Sequence, residues 1–160
     1  MSSQAKPSAT TLACNGEPEQ PWYAAYPEAR SRPTPISCNE VLGLLKEGNE
    51  GAKLVLVDLR RTDYEGGAIN GSINLPAQSL YPTIPSLYDI FHAAGVRRIV
   101  WYCGSSRGRG NRAAAWFADY LQDKSDQDMQ SLVLDGGIKG WVGEGGEFLQ
   151  YVQGYDGSKW

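Results

Sequence analysis

The sequence predicts an α/β fold, a three-layer domain with a central parallel sheet flanked by helices. Three observations carry this expectation. Short apolar runs such as "LVLV", "RIVWY" and "SLVL" recur along the chain, continuous rather than alternating, as in strands covered on both faces. Segments with helical apolar spacing separate them, and strand–helix alternation of this kind builds parallel sheets. With 160 residues, 41% of them hydrophobic, the chain holds one domain with a core of its own.

Residues 1–20 are rich in Ser, Thr, Pro and Gln and read as a disordered tail. Residues 21–33 read as an extended arm packed on the domain, because "PWYAAYPEA" carries Trp22, Tyr23 and Tyr26. A partner-binding segment is the alternative for the arm. The domain proper covers residues 34–150, and residues 151–160 read as a C-terminal tail.

Within the domain, "ISCNEVLGLLKEG" predicts a short helix that Ser37 or Asn39 can cap, with Val41, Leu42, Leu44 and Leu45 as its apolar face. Cys38 reads as an inert residue near that cap. "AKLVLVDLR" predicts a buried strand over 54–57 that ends in polar Asp58 and Arg60. "GAINGSINLPA" reads as turn, short strand, turn. "SLYDIFHAAG" predicts a helix, and His92 near its end reads as structural or solvated rather than as a base. "RRIVWYC" is the next strand. "NRAAAWFADYLQD" is a helix of about three turns with Ala114, Phe117, Ala118 and Leu121 as its buried stripe. "SLVLDGG" adds a strand, and "GGIKGWVGEGGEFLQYV" a turn and a last short helix.

Composition narrows the functional classes. A net charge of -3 gives no broad basic surface, so no nucleic-acid partner is expected. The longest apolar stretches, "LVLV" and "AAAWFA", are far too short to span a membrane, and "MSSQAKPSATTLACNG" lacks the apolar core of a secretory signal. Cys14, Cys38 and Cys103 are odd in number and widely spaced, which predicts no disulfide framework and a reducing compartment. The cytoplasm is expected, with the nucleus as a second location. One histidine and no Cys-x-x-Cys predict no metal site.

The chemistry concentrates in "IVWYCGSSRGRGNRAAAWFADYL". Cys103 ends a predicted strand, where ligands of open α/β sheets collect. The loop after it, with Gly104, Ser105, Ser106, Arg107 and Gly108, has small residues whose N–H groups can turn inward around an anion. The following helix points its N-terminus at the same spot. Arg109 stands six positions after Cys103, and its planar fork matches a tetrahedral oxyanion. The bland alternative is a buried strand-end cysteine beside solvated arginines. Glycines and arginines clustered behind a buried strand weigh against it.

These stretches resemble the rhodanese fold. "ISCNEVLGLL" is similar to its opening helix, "VLVDLRRTDYEGGAINGSINLPA" to its D-x-R … Y-x-x-G-x-I-x-G-x-x-N-x-P run, and "LVLDGGIKGW" to its last strand and L-x-G-G-x-x-x-W turn. The resemblance covers residues 34–145. Within the family, sulfurtransferases have a six-residue active loop. The dual-specificity cell-cycle phosphatases and the eukaryotic arsenate reductases have seven residues, Cys-x5-Arg, and "CGSSRGR" is of that length. "RGNR" is similar to the phosphatases' Arg-Gly-Pro-Arg. The resemblance implies Cys103 as nucleophile, Arg109 as oxyanion clamp, residues 104–108 as backbone cradle, and Asp58 with Arg60 as structural support.

Departures from the phosphatase pattern accompany it. Tyr102 and Gly104 replace a His before and a Glu after the cysteine, and Gly108 replaces a second Glu. The remaining candidate acids are Asp58, Asp63, Glu65 and Asp135. The expected function is a cysteine-dependent phosphatase acting on phosphomonoesters of phosphotyrosine or dual-specificity type, through a phospho-cysteine and without a cofactor. Arsenate reduction with glutathione or another thiol reductant is the second reading, and thiosulfate sulfur transfer the third. A non-catalytic module that holds phosphate or a phosphopeptide is the fourth. The expected partners are a phosphorylated small molecule or protein, or arsenate, with a thiol-redox partner in the second case.

Overall fold

The computed structural model describes residue 16 and residues 20–160. The rest of the expected N-terminal tail, Cys14 included, lies outside the described residues. In chain order the elements are β1 (Thr34–Ile36), α1 (Cys38–Glu47), α2 (Asn49–Ala52), β2 (Leu54–Asp58), β3 (Ala68–Ile69), β4 (Ile73–Asn74), α3 (Ile84–Ala93), β5 (Arg98–Tyr102), α4 (Arg109–Asp123), β6 (Gln130–Leu134), α5 (Gly137–Glu144), α6 (Glu147–Gln150) and β7 (Val152–Gln153). The central sheet runs β1-β6-β5-β2-β4 with every pair parallel, the α/β arrangement that the sequence predicts.

Strand residues alternate between two cores, which is why the strands read as unbroken apolar runs. Ile99 and Trp101 of β5 pack with Phe91 of α3 and Phe117 of α4. Val100 and Tyr102 face the other way, toward Val41 and Leu42 of α1 and Ile138 and Trp141 of α5. A sheet covered on both faces has no polar side to alternate with. The Ser37 hydroxyl caps α1 by accepting from Glu40 N at 3.1 Å, so Ser37 rather than Asn39 has that role.

Four local differences from the sequence reading have physical reasons. Strand β1 was not expected, since it is only three residues long and contains Pro35; it lies at the sheet edge, where a missing N–H costs no ladder bond. "GAINGSINLPA" holds two short strands instead of one, because β3 pairs with β7 while β4 pairs with β2. The last helical segment divides into α5 and α6 at Gly145 and Gly146, whose φ of 65° and 52° suit only glycine readily. Helix α4 starts at Arg109, and it buries Ala113, Ala115 and Trp116 as well as most of the expected stripe.

The wider buried face of α4 follows from the segment before β1. Trp22 and Tyr26 set their rings edge-on to Trp116 at 6.0 and 5.9 Å. Trp116 Nε1 donates to Pro27 O at 2.9 Å. The Asp119 carboxylate accepts from Arg30 N at 2.9 Å and from Ser31 N at 2.8 Å. This segment therefore lies along α4, with Trp22 and Tyr23 beside the start of that helix, at the cavity over Cys103, and Arg30 toward its end.

Candidate active site

Strand β5 ends in Tyr102, and Cys103 follows at the carboxyl edge of the sheet with 3% of its surface exposed. Residues 103–108 then curl into a loop that leads straight into α4. Ser106 makes the curl possible by adopting a φ of 59°, a left-handed conformation uncommon for a residue with a side chain. Its N–H donates to Cys103 Sγ at 3.2 Å, and its Oγ accepts from Cys103 N at 3.4 Å. Sequence reading sees Ser106 as one more amide of the cradle. The structure adds that its buried side chain ties the loop to the base of the cysteine.

Glycines let three backbone segments meet here. A Cβ on Gly110 would sit 3.1 Å from Ser106 Cβ and 3.2 Å from Val133 Cγ2. Gly137 is more constrained: at φ 62° a Cβ would lie 2.5 Å from both Cys103 O and Gly104 O. Those carbonyls accept from Ile138 N at 3.1 Å and Lys139 N at 3.0 Å, so the first turn of α5 holds the start of the loop. With the carbonyls so engaged, the loop amides are free to face the opposite side. Among the described residues, the N–H groups of Gly104, Ser105, Arg107 and Gly108 donate to no protein acceptor.

A cavity of about 350 Å³ opens over the thiol, lined by Cys103, Ser105, Gly108 and Arg109 on the loop side. Arg109 lies between this cavity and an adjoining cleft that Asp63, Glu65 and Lys139 line. Its guanidinium donates through Nη1 and Nη2 to the two carboxylate oxygens of Asp63, at 2.9 and 2.6 Å. Asp63 raises the Arg109 pKa most, with a smaller rise from its charge and hydrogen-bond contact with Cys103. The hydrogen bonds from Arg109 in turn hold the Asp63 carboxyl well below the usual carboxylate range.

The Asp58–Arg60 pair stands behind that arrangement. Both side chains are buried, with Arg60 Nε 3.1 Å from each Asp58 oxygen and Nη2 2.8 Å from Oδ2. Burial opposes the Arg60 charge, and the hydrogen bonds and charge of Asp58 outweigh it. The remaining guanidinium donors reach Glu65 O at 3.0 Å and Gly67 O at 2.7 Å. One buried pair thereby shapes the loop that carries Asp63.

Other candidate residues lie elsewhere or are already engaged. Arg107 is exposed and borders a separate cleft with Pro33, Asn111 and Asp135. Glu65 pairs with Lys159 at 3.6 Å. Tyr102, at the position of the phosphatases' histidine, is buried, with its hydroxyl accepting from Ile69 N at 3.2 Å and 2.7 Å from Ser72 Oγ. Burial first, and the Asp58 charge second, push the Tyr102 hydroxyl far above its ordinary pKa. Burial likewise pushes the Cys38 thiol up. His92 is exposed near the end of α3, beside Lys53 and Asp126 rather than Cys103.

Sequence reasoning did not bring three other residues to the cavity, Trp22, Tyr23 and Gln78, which line it together with Arg112, the last residue of "RGNR". The Arg112 guanidinium lies over the Tyr23 ring, 3.4 Å from its centroid. Gln78 Oε1 is buried and accepts no hydrogen bond from any described residue, an arrangement that costs about 1–3 kcal/mol. The density of aromatic residues in "PWYAAYPEA" is the one signal that pointed this way; nothing near Gln78 in sequence did.

Comparison with known proteins agrees with the topology. The chain is 28% identical over 113 residues to Arsenical-resistance protein 2 of Saccharomyces cerevisiae, covering 66% of this chain and 85% of that one. It is 26% identical over 91 residues to the dual specificity phosphatase ibp1 of Schizosaccharomyces pombe, covering 57% of this chain and 62% of that one. The As-Sb reductase structure from Leishmania major superposes with a TM-score of 0.65 at 25% identity, covering 72% of this chain and 80% of that one. The family model for the rhodanese-like domain matches residues 40–144, the span that holds four of the five strands of the parallel sheet (β2, β4, β5 and β6), the Asp58–Arg60 pair and the loop from Cys103 to Arg109. The chain belongs to the rhodanese-like domain family.

Proposed function

We propose that the chain is a cysteine-dependent phosphatase acting on phosphomonoesters of phosphotyrosine or dual-specificity type. The observation that carries this reading is the rolled loop of residues 103–109, which sets Ser106 N–H 3.2 Å from Cys103 Sγ and brings Arg109 to the same cavity. In this reading the Cys103 thiolate attacks phosphorus. The sulfur–phosphorus bond forms as the bond to the leaving oxygen breaks. The loop amides and Arg109 hold the equatorial oxygens, where charge concentrates in the transition state. Water then attacks the phospho-cysteine, releasing inorganic phosphate and restoring the thiolate. The chain's own residues suffice for these steps, with no cofactor in the scheme, and the setting proposed is the cytoplasm.

Arsenate reduction is the second reading, and one observation favours it. The carboxylate nearest to Arg109, Asp63, is ionised and held in two hydrogen bonds, so it has no proton to give a poor leaving group. Arsenate has the shape and charge of phosphate, and its reduction does not depend on protonating an alcohol. Two molecules of an external thiol such as glutathione would supply the two electrons, ending joined as one disulfide while arsenate becomes arsenite and one of its oxygens leaves as water. The yeast arsenical-resistance relative and the Leishmania As-Sb reductase support this reading, as the fission-yeast phosphatase supports the first.

Three assays on wild type and Cys103→Ser test the proposal side by side. Hydrolysis of para-nitrophenyl phosphate that Cys103→Ser abolishes supports the phosphatase. Glutathione-dependent arsenite production without phosphate release supports the reductase instead. Thiocyanate formation from thiosulfate and cyanide would favour sulfur transfer over both, and phosphate binding without turnover a binding module.

A further inference from the structure

One wall of the cavity over Cys103 comes from outside the loop. We propose that Trp22, Tyr23 and Gln78 form a leaving-group subsite that takes the aromatic ring and a hydrogen-bond donor of a phosphotyrosyl residue. This proposal rests on the phosphatase reading.

Three features of the wall support it. First, phosphoryl transfer runs in line, so the leaving oxygen points away from the attacking sulfur and toward the far side of the cavity. Trp22 and Tyr23 line that cavity from outside the loop, set edge-on to each other with centroids 5.4 Å apart. Aromatic rings favour such edge and offset contacts with a further ring. Second, these residues are held in place rather than loosely exposed. Trp22 packs on Trp116, Tyr23 lies under the Arg112 guanidinium, and Asp119 fixes the backbone of Arg30 and Ser31 beyond them.

Third, Gln78 presents a buried carbonyl oxygen with no donor among the described residues, and its residue lines this same cavity. In the proposed subsite a turn of the Gln78 side chain toward the cavity lets that oxygen accept from a donor on the ligand, here an N–H of the phosphotyrosyl backbone. The leaving-group chemistry agrees independently. Asp63 is committed to Arg109 as an anion, so the leaving oxygen departs without a proton from it. A phenol ionises near 10 and leaves as its anion far more readily than an aliphatic alcohol does.

Binding to the Cys103→Ser chain, measured by calorimetry, tests the subsite without turnover. N-acetyl phosphotyrosine amide is expected to bind about tenfold more tightly than inorganic phosphate. Adding Trp22→Leu or Gln78→Met should each cut that advantage to about threefold or less. The two changes lie on different segments, so a disturbed arm cannot account for both. Equal affinities for the two ligands, or an advantage that survives both changes, would overturn the subsite. Turnover of para-nitrophenyl phosphate by the wild-type chain is scored separately: its absence overturns the phosphatase reading, and the binding comparison still decides the subsite.

Discussion

Arg109 and Asp63 are joined by two parallel hydrogen bonds, Nη1 to Oδ1 at 2.9 Å and Nη2 to Oδ2 at 2.6 Å. The residue that would clamp a substrate oxyanion thus already holds an anion from its own chain. Forked guanidinium–carboxylate pairs of this kind are directional, so Asp63 also aims the side chain. An incoming phosphate must share or displace that carboxylate. Replacing Asp63 with Asn keeps the shape and removes the competing charge. Asp63→Asn is expected to strengthen competitive inhibition by inorganic phosphate about threefold to tenfold, read from the inhibition constant at neutral pH.

The same pair predicts an acid dependence of stability. The hydrogen bonds from Arg109 lower the folded-state pKa of Asp63 below its unfolded value, so their contribution is fully present above the unfolded pKa of about 4. It declines as pH falls from there through the folded pKa. About half of the Asp63 side chain is exposed, which limits the contribution to at most about 1 kcal/mol. Urea unfolding of wild type and Asp63→Asn should show a constant difference between pH 7 and pH 5. Below pH 4 that difference should shrink.

Arg109→Lys tests the fork itself. Lysine keeps the charge but cannot offer paired, coplanar donors to a tetrahedral anion. Loss of one preorganised oxyanion donor lowers kcat by about a hundredfold or more. The expected result is a fall of that size in kcat for para-nitrophenyl phosphate, and Cys103→Ser should fall further, by at least about a thousandfold.

Gly137 should tolerate no side chain. A methyl group there would sit 2.5 Å from Cys103 O and Gly104 O, on backbone at φ 62°. Gly137→Ala is expected to lose about 2 kcal/mol or more of stability, or to express insoluble, because backbone must move on both sides. Gly110→Ala meets Ser106 and Val133 at 3.1–3.2 Å and should cost less, about 1–2 kcal/mol in urea unfolding.

Asp58→Ala removes the partner of a guanidinium that is 3% exposed. Leaving that charge buried and uncompensated costs about 3–5 kcal/mol. Thermal and urea unfolding should show the loss directly. A double change, Asp58→Ala with Arg60→Met, should recover part of it by removing the stranded charge.

The parallel sheet was legible because a strand buried on both faces must be apolar at every position, as "LVLV" and "RIVWY" are. Cys103 and Arg109 stood out for a similar local reason: a strand end, a loop of small residues and a helix start are contiguous in the chain. Pro35 concealed β1, since a proline strand is stable only where the edge of a sheet receives it. The glycine pair in "LDGGIKGW" was visible, but not the carbonyls of Cys103 and Gly104 that Gly137 must approach.

By itself the sequence determined the layers, the place of the thiol and the length of the loop, all set by neighbours along the chain. Only the tertiary structure decided what surrounds the thiol. Asp63 reaches Arg109 across 46 positions, and Asp119 anchors Ser31 across 88 positions. The segment so anchored brings Trp22 and Tyr23 to the Cys103 cavity, where Gln78 joins them. Hydrogen bonds and ring contacts are short-ranged, and which groups come within their reach depends on packing the whole sheet and its helices. No spacing rule along the chain encodes that.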